Sequence, residues 1–296
     1  MTLKGTRIGT YIWAIFISIW ILIPIYWTVN ASLQTENQLH TRPPAYFPPT
    51  PDVGLGNYWF IFHVQEVMQE RLKAGVSFFL PAVTAQLPQA IQHSLIIALS
   101  ITATNIVLGL HVAYTFSRVE FRGSFKLFIL TICTRLLPEV AVIVPFYLII
   151  RTLNLLDTMV AVYLIHVTFT LPFSIWVLHN YLSFIPEDVE DSARVDRYSR
   201  FEVLYKVLLP IVKPGIVAIG IMSFMLSYRE FFFAFVLTQT VASRTVPVVI
   251  ASMAANPVVP VSLLAAAGIV TSIPPIIVII IFRKYIVRGL VAGAIR

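Results

Sequence analysis

The sequence predicts an all-α, polytopic integral membrane protein with six transmembrane helices and both termini in the cytoplasm. Three observations lead there. The 296 residues are 58% hydrophobic and only 12% charged, about half the charged fraction of an ordinary soluble domain. The apolar residues gather into long runs of the kind a helix needs to cross roughly 30 Å of hydrocarbon, about 20 residues each. The basic residues, finally, fall mostly in alternate connections between those runs. A helix satisfies its own backbone hydrogen bonds, which lipid cannot do, so the runs read as helices.

The runs lie at about 8–30, 93–117, 127–150, 158–181, 214–238 and 262–282. The first follows Lys4 and Arg7, and Val29-Asn30-Ala31 has a faint likeness to a signal cleavage site. Its apolar stretch from Ile8 to Val29 exceeds the usual signal core of about 7–15 residues, so it reads as a retained span. Asn30-Ala31-Ser32 matches a glycosylation triplet, too short a pattern to carry weight. Cys133, the single cysteine, falls within the third run and excludes an intrachain disulfide.

With the N-terminus inside, the inner segments hold fourteen basic residues. These are Lys4 and Arg7; Arg118, Arg122 and Lys126; Arg194, Arg197, Arg200, Lys206 and Lys213; and Arg283, Lys284, Arg288 and Arg296. The outer segments hold five, Arg42, Arg71, Lys73, Arg151 and Arg244. The formal charge of +7 then follows from topology and anionic lipid, with no call on nucleic acid. The outer segment 32–92 is the long one; its prolines from Pro43 to Pro51 favour extended chain. Ile61, Val64, Met68 and Leu72 then mark one side of an amphipathic helix over 61–73. A second outer segment, 239–261, is also proline-bearing and reads as either a plain connection or a docking surface.

One polar island, from Pro186 to Arg200, interrupts the apolar chain. Glu187, Asp188, Glu190 and Asp191 come first, then Arg194, Arg197 and Arg200. That order suits a short helix, whose N-terminal end favours acids and whose C-terminal end favours bases. Glu190 with Arg194, and Asp196 with Arg200, have the spacing of helical ion pairs. A charged helix between spans must sit in water, where it can meet a soluble partner.

Ionisable residues inside spans mark packing or a polar path. Arg135 and Glu139 are spaced to pair on the third run, and Arg229 and Glu230 lie late in the fifth beside Tyr228. His93, His111, His166 and His179 are scattered over separate helices without metal-ligand spacing, so no metal is expected. No phosphate-binding Gly-x-x-x-x-Gly-Lys-Ser/Thr loop, nucleophile elbow or metalloprotease motif occurs, so the chain does not read as an enzyme.

The stretch from Ile185 to Asp196, with Leu209-Pro210 after it, resembles the Glu-Ala-Ala loop of binding-protein-dependent ABC importer permeases. Asp191, Ser192 and Ala193 fall on the Glu-Ala-Ala positions, and Val207, Leu209 and Pro210 on the closing residues. Further stretches resemble the carbohydrate, maltose-type branch: 113–123, 137–145, 153–158, 171–176 and 284–295. One departure stands out, since Arg197 occupies the family's glycine position. Either the local backbone differs there or Arg197 makes a new ionic contact.

The resemblance implies one permease subunit of an ATP-driven importer of a carbohydrate or polyol, set in a prokaryotic inner membrane. It implies a second permease, two ATPase subunits that use ATP and Mg, and an extracytoplasmic solute-binding protein; this chain binds no cofactor itself. The loop 183–212 becomes the coupling element. Glu187, Val189, Glu190, Asp191, Ser192, Ala193, Arg194, Val195, Asp196 and Arg197 are its candidate contacts to the ATPase, with the tail 284–296 nearby. Arg135, Glu139, Tyr228 and Glu230 are the candidates for the translocation path. An ion-coupled secondary transporter of a polar solute is the alternative; it would work alone and need no charged helix. A membrane-embedded enzyme would need clustered catalytic groups, which the sequence lacks.

Overall fold

Each regular element among the described residues of the computed structural model is helical; those residues are 3–43, 46–47, 51–73 and 82–294. Among the described residues five helical segments are long and apolar enough to cross a membrane: Gly9–Ser32, Thr84–Arg118, Met159–Ser183, Arg200–Tyr228 and Val261–Lys284. The stretch expected as one span at 127–150 is two helices meeting at 98°, Ser124–Leu136 and Glu139–Thr152. Pro138 is the cause, since a proline disfavours helical backbone in the residue before it. Leu137 is accordingly extended, with ψ of 124°.

The chain divides into two compact units, one built from residues 1–88 and 249–273 and the other from 89–248 and 274–296. In the first, α1 (Leu3–Ser32) exposes its large apolar side chains from Tyr11 to Val29. The four-residue α2 (Glu36–Leu39) starts in a reciprocal cap between Thr35 and Gln38. Glu36 of that turn accepts hydrogen bonds from the backbone N–H and hydroxyl of Ser262 at 3.2 and 3.4 Å. The expected amphipathic helix begins ten residues early, as α3 (Pro51–Lys73), because proline fits a helix's first turn. Ile61 and Val64 are buried as expected, while the side chains of Met68 and Leu72 lie outside the described residues. The Tyr58 hydroxyl bonds Ser32 Oγ at 2.6 Å and Asn57 donates to the Ser32 and Gln34 carbonyls, which ties α3 to the end of α1.

The second unit is organised around α7 (Met159–Ser183), flanked by α4 (Leu87–Arg118), α5 (Ser124–Cys133), α6 (Glu139–Thr152) and, later in the chain, Leu209–Tyr228. A buried polar chain joins three of these helices. Asn105 donates to Ser223 at 3.1 Å and accepts from Thr170 at 3.4 Å, and Ser174 lies 3.4 Å from Ser223. Satisfied groups of this kind fix helix register where apolar packing alone would permit sliding. Apolar clusters occupy both ends of α7. Phe169, Phe233 and Leu237 belong to one; Leu178, Leu182, Leu204 and Leu208 belong to the other.

After α7 come α8 (Asp188–Val195) and the single turn α9 (Arg200–Glu202). Ser199 and Glu202 cap that turn reciprocally, so helix restarts at Arg200. It runs through a π-helical stretch, Val203–Leu208, into α10 (Leu209–Tyr228). The expected polar loop 183–212 is therefore largely helical, as α8 and then continuously from Arg200, and Leu208-Leu209-Pro210 lies within the second helical stretch. The fifth apolar run likewise breaks, with α11 (Phe232–Leu237) starting anew after Glu230. Helix α12 (Val246–Ala254) follows, and α13 (Val261–Ala294) is continuous through Pro274 and Pro275. Side chains of the tail from residue 285 onward lie outside the described residues.

The turn before α7 is closed by Asp157, which has φ of 59°. Its carboxylate accepts from the backbone of Gln239 and Thr240 at 2.8 and 2.9 Å, from the Thr240 hydroxyl at 2.6 Å, and from Ser243 Oγ. Partial burial pushes this carboxyl up, but the four hydrogen bonds outweigh burial and hold it well below the usual carboxylate range.

Candidate functional site

The polar island folds as the sequence suggests, into a short helix with acids at its start and Arg194 in its last turn. Its residues divide sharply by exposure. Glu187 precedes α8 on the surface, and Asp188, Asp191, Ser192, Arg194, Val195 and Asp196 are exposed along it. Val195 is 83% exposed, an apolar side chain presented to whatever meets this helix. Ala193 is buried and Val189 partly buried, both packed against the chain's own core.

Glu190 is also turned inward, at 2% exposure. Its carboxylate is bonded by Arg118 Nε, at the end of α4, while Arg194 stands 4.0 Å from the other oxygen. The expected Glu190–Arg194 pair is thus the weaker of two. Arg118 Nη2 also donates to the carbonyls of Leu182 and Ile185, at 2.8 and 2.7 Å. The first carbonyl is in the last turn of α7 and the second lies just beyond it, where C=O groups lack helical partners. One guanidinium therefore fastens α4, the end of α7 and α8 together. Its role was not readable from sequence, where Arg118 is a single basic residue at a span end. Asp191 pairs instead with Arg194 at 3.4 Å, and Asp196 and Arg200 form no ion pair.

Arg197 resolves the question raised by the missing glycine. It has φ of 62°, the left-handed backbone that glycine adopts without strain. The N–H of Tyr198 donates to Ala193 O at 3.2 Å and that of Arg197 to Arg194 O at 2.9 Å. This pair of bonds is the Schellman closure of a helix C-terminus, with Arg197 at the position usually held by glycine. The backbone is kept, and an exposed arginine occupies it. Beside α8 a groove of about 910 Å³ opens, bounded by Arg118, Arg122, Phe125, Lys126, Glu187 and Asp191.

A second cavity, of about 340 Å³, collects three of the four path candidates: Arg135, Glu139 and Glu230, together with Arg229 and His166. The i,i+4 pairing of Arg135 with Glu139 does not form, because the break at Leu137-Pro138 separates their helices. Arg135 Nη1 donates to Phe169 O at 3.0 Å and its guanidinium lies 4.9 Å from the Phe173 ring centre. Glu139 starts α6 and is exposed. The Glu230 carboxylate accepts from the N–H groups of Phe233 and Ala234, at 2.7 and 3.1 Å. These are first-turn donors that need a cap, which explains why the fifth run breaks there. Tyr228 is buried against Phe224 and does not line the cavity. His166 was not among the path candidates. Nothing in its sequence neighbourhood marks it off from His93, His111 or His179. Among the described residues no three His, Cys, Asp or Glu side chains are grouped for metal binding.

Several apolar spans, a polar cavity among them and a charged helix between two of them define a multi-pass membrane permease. Residues 105–291 match the family described as the binding-protein-dependent transport system inner membrane component, and the chain belongs to it. It is 33% identical over 214 residues to the trehalose/maltose transport system permease protein MalG of Thermococcus litoralis, covering 72% of this chain and 77% of that one. It is 30% identical over 297 residues to the trehalose transport system permease protein SugB of Mycobacterium tuberculosis, covering 99% of both. The fold matches a chain in the crystal structure of a bacterial ABC transporter involved in the import of the acidic polysaccharide alginate. That match has a TM-score of 0.74 at 19% identity, over 95% of this chain and 98% of the other.

Proposed function

We propose that this permease subunit moves a carbohydrate or polyol into the cytoplasm of a prokaryote, by alternating access driven by ATP. It works with a second permease, two ATPase subunits that use ATP and Mg, and an extracytoplasmic solute-binding protein. The carbohydrate class rests on the relatives, whose names give trehalose and maltose as their solutes. The basic-residue bias favours cytoplasmic termini and a cytoplasmic α8, with 32–92 on the outer face.

The observation that carries the coupling role is the Glu190–Arg118–α7 fastening. A helix that transmits force must be stiffly joined to the spans and present a distinct outer face. Here Glu190 and Ala193 face inward, while Glu187, Asp191, Ser192, Arg194, Val195, Asp196 and Arg197 are left for the ATPase. A push on α8 then reaches α4 and α7 as a rigid-body displacement between two packed states. The test is reconstitution of the whole importer in proteoliposomes, reading solute-stimulated ATP hydrolysis and uptake together. Asp191→Lys is expected to abolish both while the permease pair still assembles. Uptake that persists without ATPase subunits would instead establish a self-sufficient, ion-coupled carrier.

A further inference from the structure

The first span makes a polar contact from within its apolar stretch. The Tyr26 hydroxyl donates to the backbone carbonyl of Tyr46. Tyr26 stands about 9 Å before the end of α1 at Ser32, at 1.5 Å per residue. Its side chain leans further back still, since helical side chains tilt toward the N-terminus. The chain has therefore left α1 and returned along its flank, to a level where each residue from Thr10 to Trp27 is exposed on α1. What it brings back is aromatic, with Tyr46 63% and Phe47 76% exposed.

The backbone there suits a medium without water. Lipid penalises each unpaired N–H or C=O. The Tyr26–Tyr46 bond satisfies a span hydroxyl and a loop carbonyl at once. The flanking Pro43, Pro44, Pro48 and Pro49 have no N–H to leave unpaired.

Helix α3 has the same character. Tyr58 and Asn57 fix it to the end of α1. It also packs on Thr84–Gln86, the turn that opens the next span. Two span ends thus hold α3 at the depth where spans leave the hydrocarbon. Ile61 and Val64 are buried, while Leu55, Trp59 and Phe62, at i, i+4 and i+7, form an exposed stripe that turns polar at Glu66 and Gln69. Tyrosine and tryptophan at this depth form the aromatic belt of membrane proteins, rings in the acyl boundary and polar edges among headgroups.

We infer that Tyr46 and Phe47, with the Leu55–Trp59–Phe62 side of α3, are seated in the headgroup–acyl boundary of the bilayer as an interfacial anchor, and that lipid covers them. Apolar faces of interfacial helices sink about 5–10 Å into that boundary, the depth at which Tyr26 holds the loop. The anchor would fix the adjoining ends of the first two spans against the membrane plane. It depends on α1 being a span, and on neither the solute nor the coupling to ATP.

The test uses the complete importer in phosphatidylethanolamine–phosphatidylglycerol proteoliposomes, with Cys133→Ser and the other subunits free of cysteine. Phe47→Cys and Trp59→Cys, both at exposed positions, are labelled singly with a polarity-sensitive fluorophore, and retained uptake shows that each variant is folded. Quenching is read from lipids with a nitroxide near the headgroup or at the chain end, and from aqueous iodide. Both labels are expected to lose more fluorescence to the shallow nitroxide than to the deep one. Both should also be shielded from iodide with or without the solute-binding protein. Iodide access without lipid quenching at either label would place that surface in water and overturn the anchor. Shielding that appears only when the binding protein is added would make it a docking surface for that protein. Shielding without quenching by either nitroxide would make it a contact with the second permease. Either result overturns the lipid assignment.

Discussion

The two ends of α7 solve the same problem with different chemistry. They lie about 37 Å apart at 1.5 Å per residue, and each must hold a helix end, a sharp turn and a carboxylate. At the start, Asp157 is clamped by neutral donors, two backbone N–H groups and two hydroxyls. At the finish, Glu190 is buried and met by a cation, Arg118, which also bonds the carbonyls of Leu182 in the last turn of α7 and of Ile185 just after it. Both ends also use a Schellman closure with a left-handed residue, Asn154 after α6 and Arg197 after α8. The neutral clamp is self-contained and asks nothing of a partner. The ionic one joins three helices and surrounds itself with exposed charge, an arrangement suited to receiving force from outside. If that contrast is correct, the ends should fail differently.

The largest effect is expected at the ionic end. Arg118→Met leaves Glu190 buried without its cation, and Glu190→Leu leaves the guanidinium without its carboxylate. Removing one partner of a buried pair costs about 3–5 kcal/mol, whereas replacing both by apolar groups is often near neutral. Each single variant should therefore lower the thermal stability of the purified permease pair sharply, and the double variant should recover much of it. Recovery will be incomplete, because Arg118 also bonds the Leu182 and Ile185 carbonyls. In proteoliposomes the double variant should hydrolyse ATP with weakened stimulation by solute. If it couples as well as wild type, the pair is merely structural and the contrast between the ends loses its functional half.

How much of this contrast was legible beforehand follows from the range of the interactions. The short charged helix could be read because Glu187 to Asp191 and Arg194 are neighbours in sequence and act through one local dipole. The spans could be read because lipid imposes a length and a composition. Arg118 could not be paired with Glu190, since 72 residues separate them and no periodicity links them. Sequence spacing instead suggested Arg194, which does approach but at the longer distance. The apparent Arg135–Glu139 pair failed because one proline outweighs helical spacing. The cavity drew Arg135, Glu139 and Glu230 together but left out Tyr228 and added His166. Which side of a helix faces a cavity is settled by packing, and neither tyrosine nor histidine carries that information.

A smaller effect tests whether the ionic end also depends on close packing. A Cβ placed on Gly215 would lie 2.7 Å from Tyr181 ring atoms, and α10 packs there directly on α7. Gly215→Ala should cost about 1–3 kcal/mol, the usual penalty of overpacking. Gly109→Ala meets Leu178 and Ser174 at 3.4 Å and beyond, so it should be far milder. Equal melting temperatures for the two variants would show that this end yields, and that rigidity there rests on the ion pair alone.

The neutral clamp should reveal itself through pH. The Asp157 carboxyl is held well below its unfolded value of about 3.9. A depressed pKa contributes stability that is fully present above the unfolded value and is lost as pH falls through the folded one. The wild type should thus lose this contribution only in acid below about pH 4. Asp157→Asn tolerates the same left-handed backbone but has one acceptor oxygen and two donors, so several of the bonds fail. It should be less stable by about 1–2 kcal/mol near neutral pH, with the gap to wild type narrowing in acid. A gap that stays constant down to pH 3 would mean that the charge on Asp157 contributes nothing.

The smallest change compares the two Schellman residues. Left-handed backbone costs an ordinary L-residue roughly 1–2 kcal/mol, while asparagine visits it readily. Asn154→Gly should therefore be nearly neutral. Arg197→Gly relieves the strain but adds freedom to the unfolded chain, so a gain of about 1 kcal/mol or less is expected. Arginine nonetheless occupies a left-handed position that glycine would take without strain, and its side chain is exposed beside Asp196. A residue that strains its own backbone needs compensation, and nothing within the described chain pairs with it. On the coupling role proposed above, the ATPase surface supplies it. Arg197→Gly should then stabilise the permease slightly while raising the ATPase concentration needed for half-maximal assembly, and Arg197→Lys should restore part of the binding. Assembly unaffected by Arg197→Gly would leave the strain uncompensated and remove Arg197 from the coupling face.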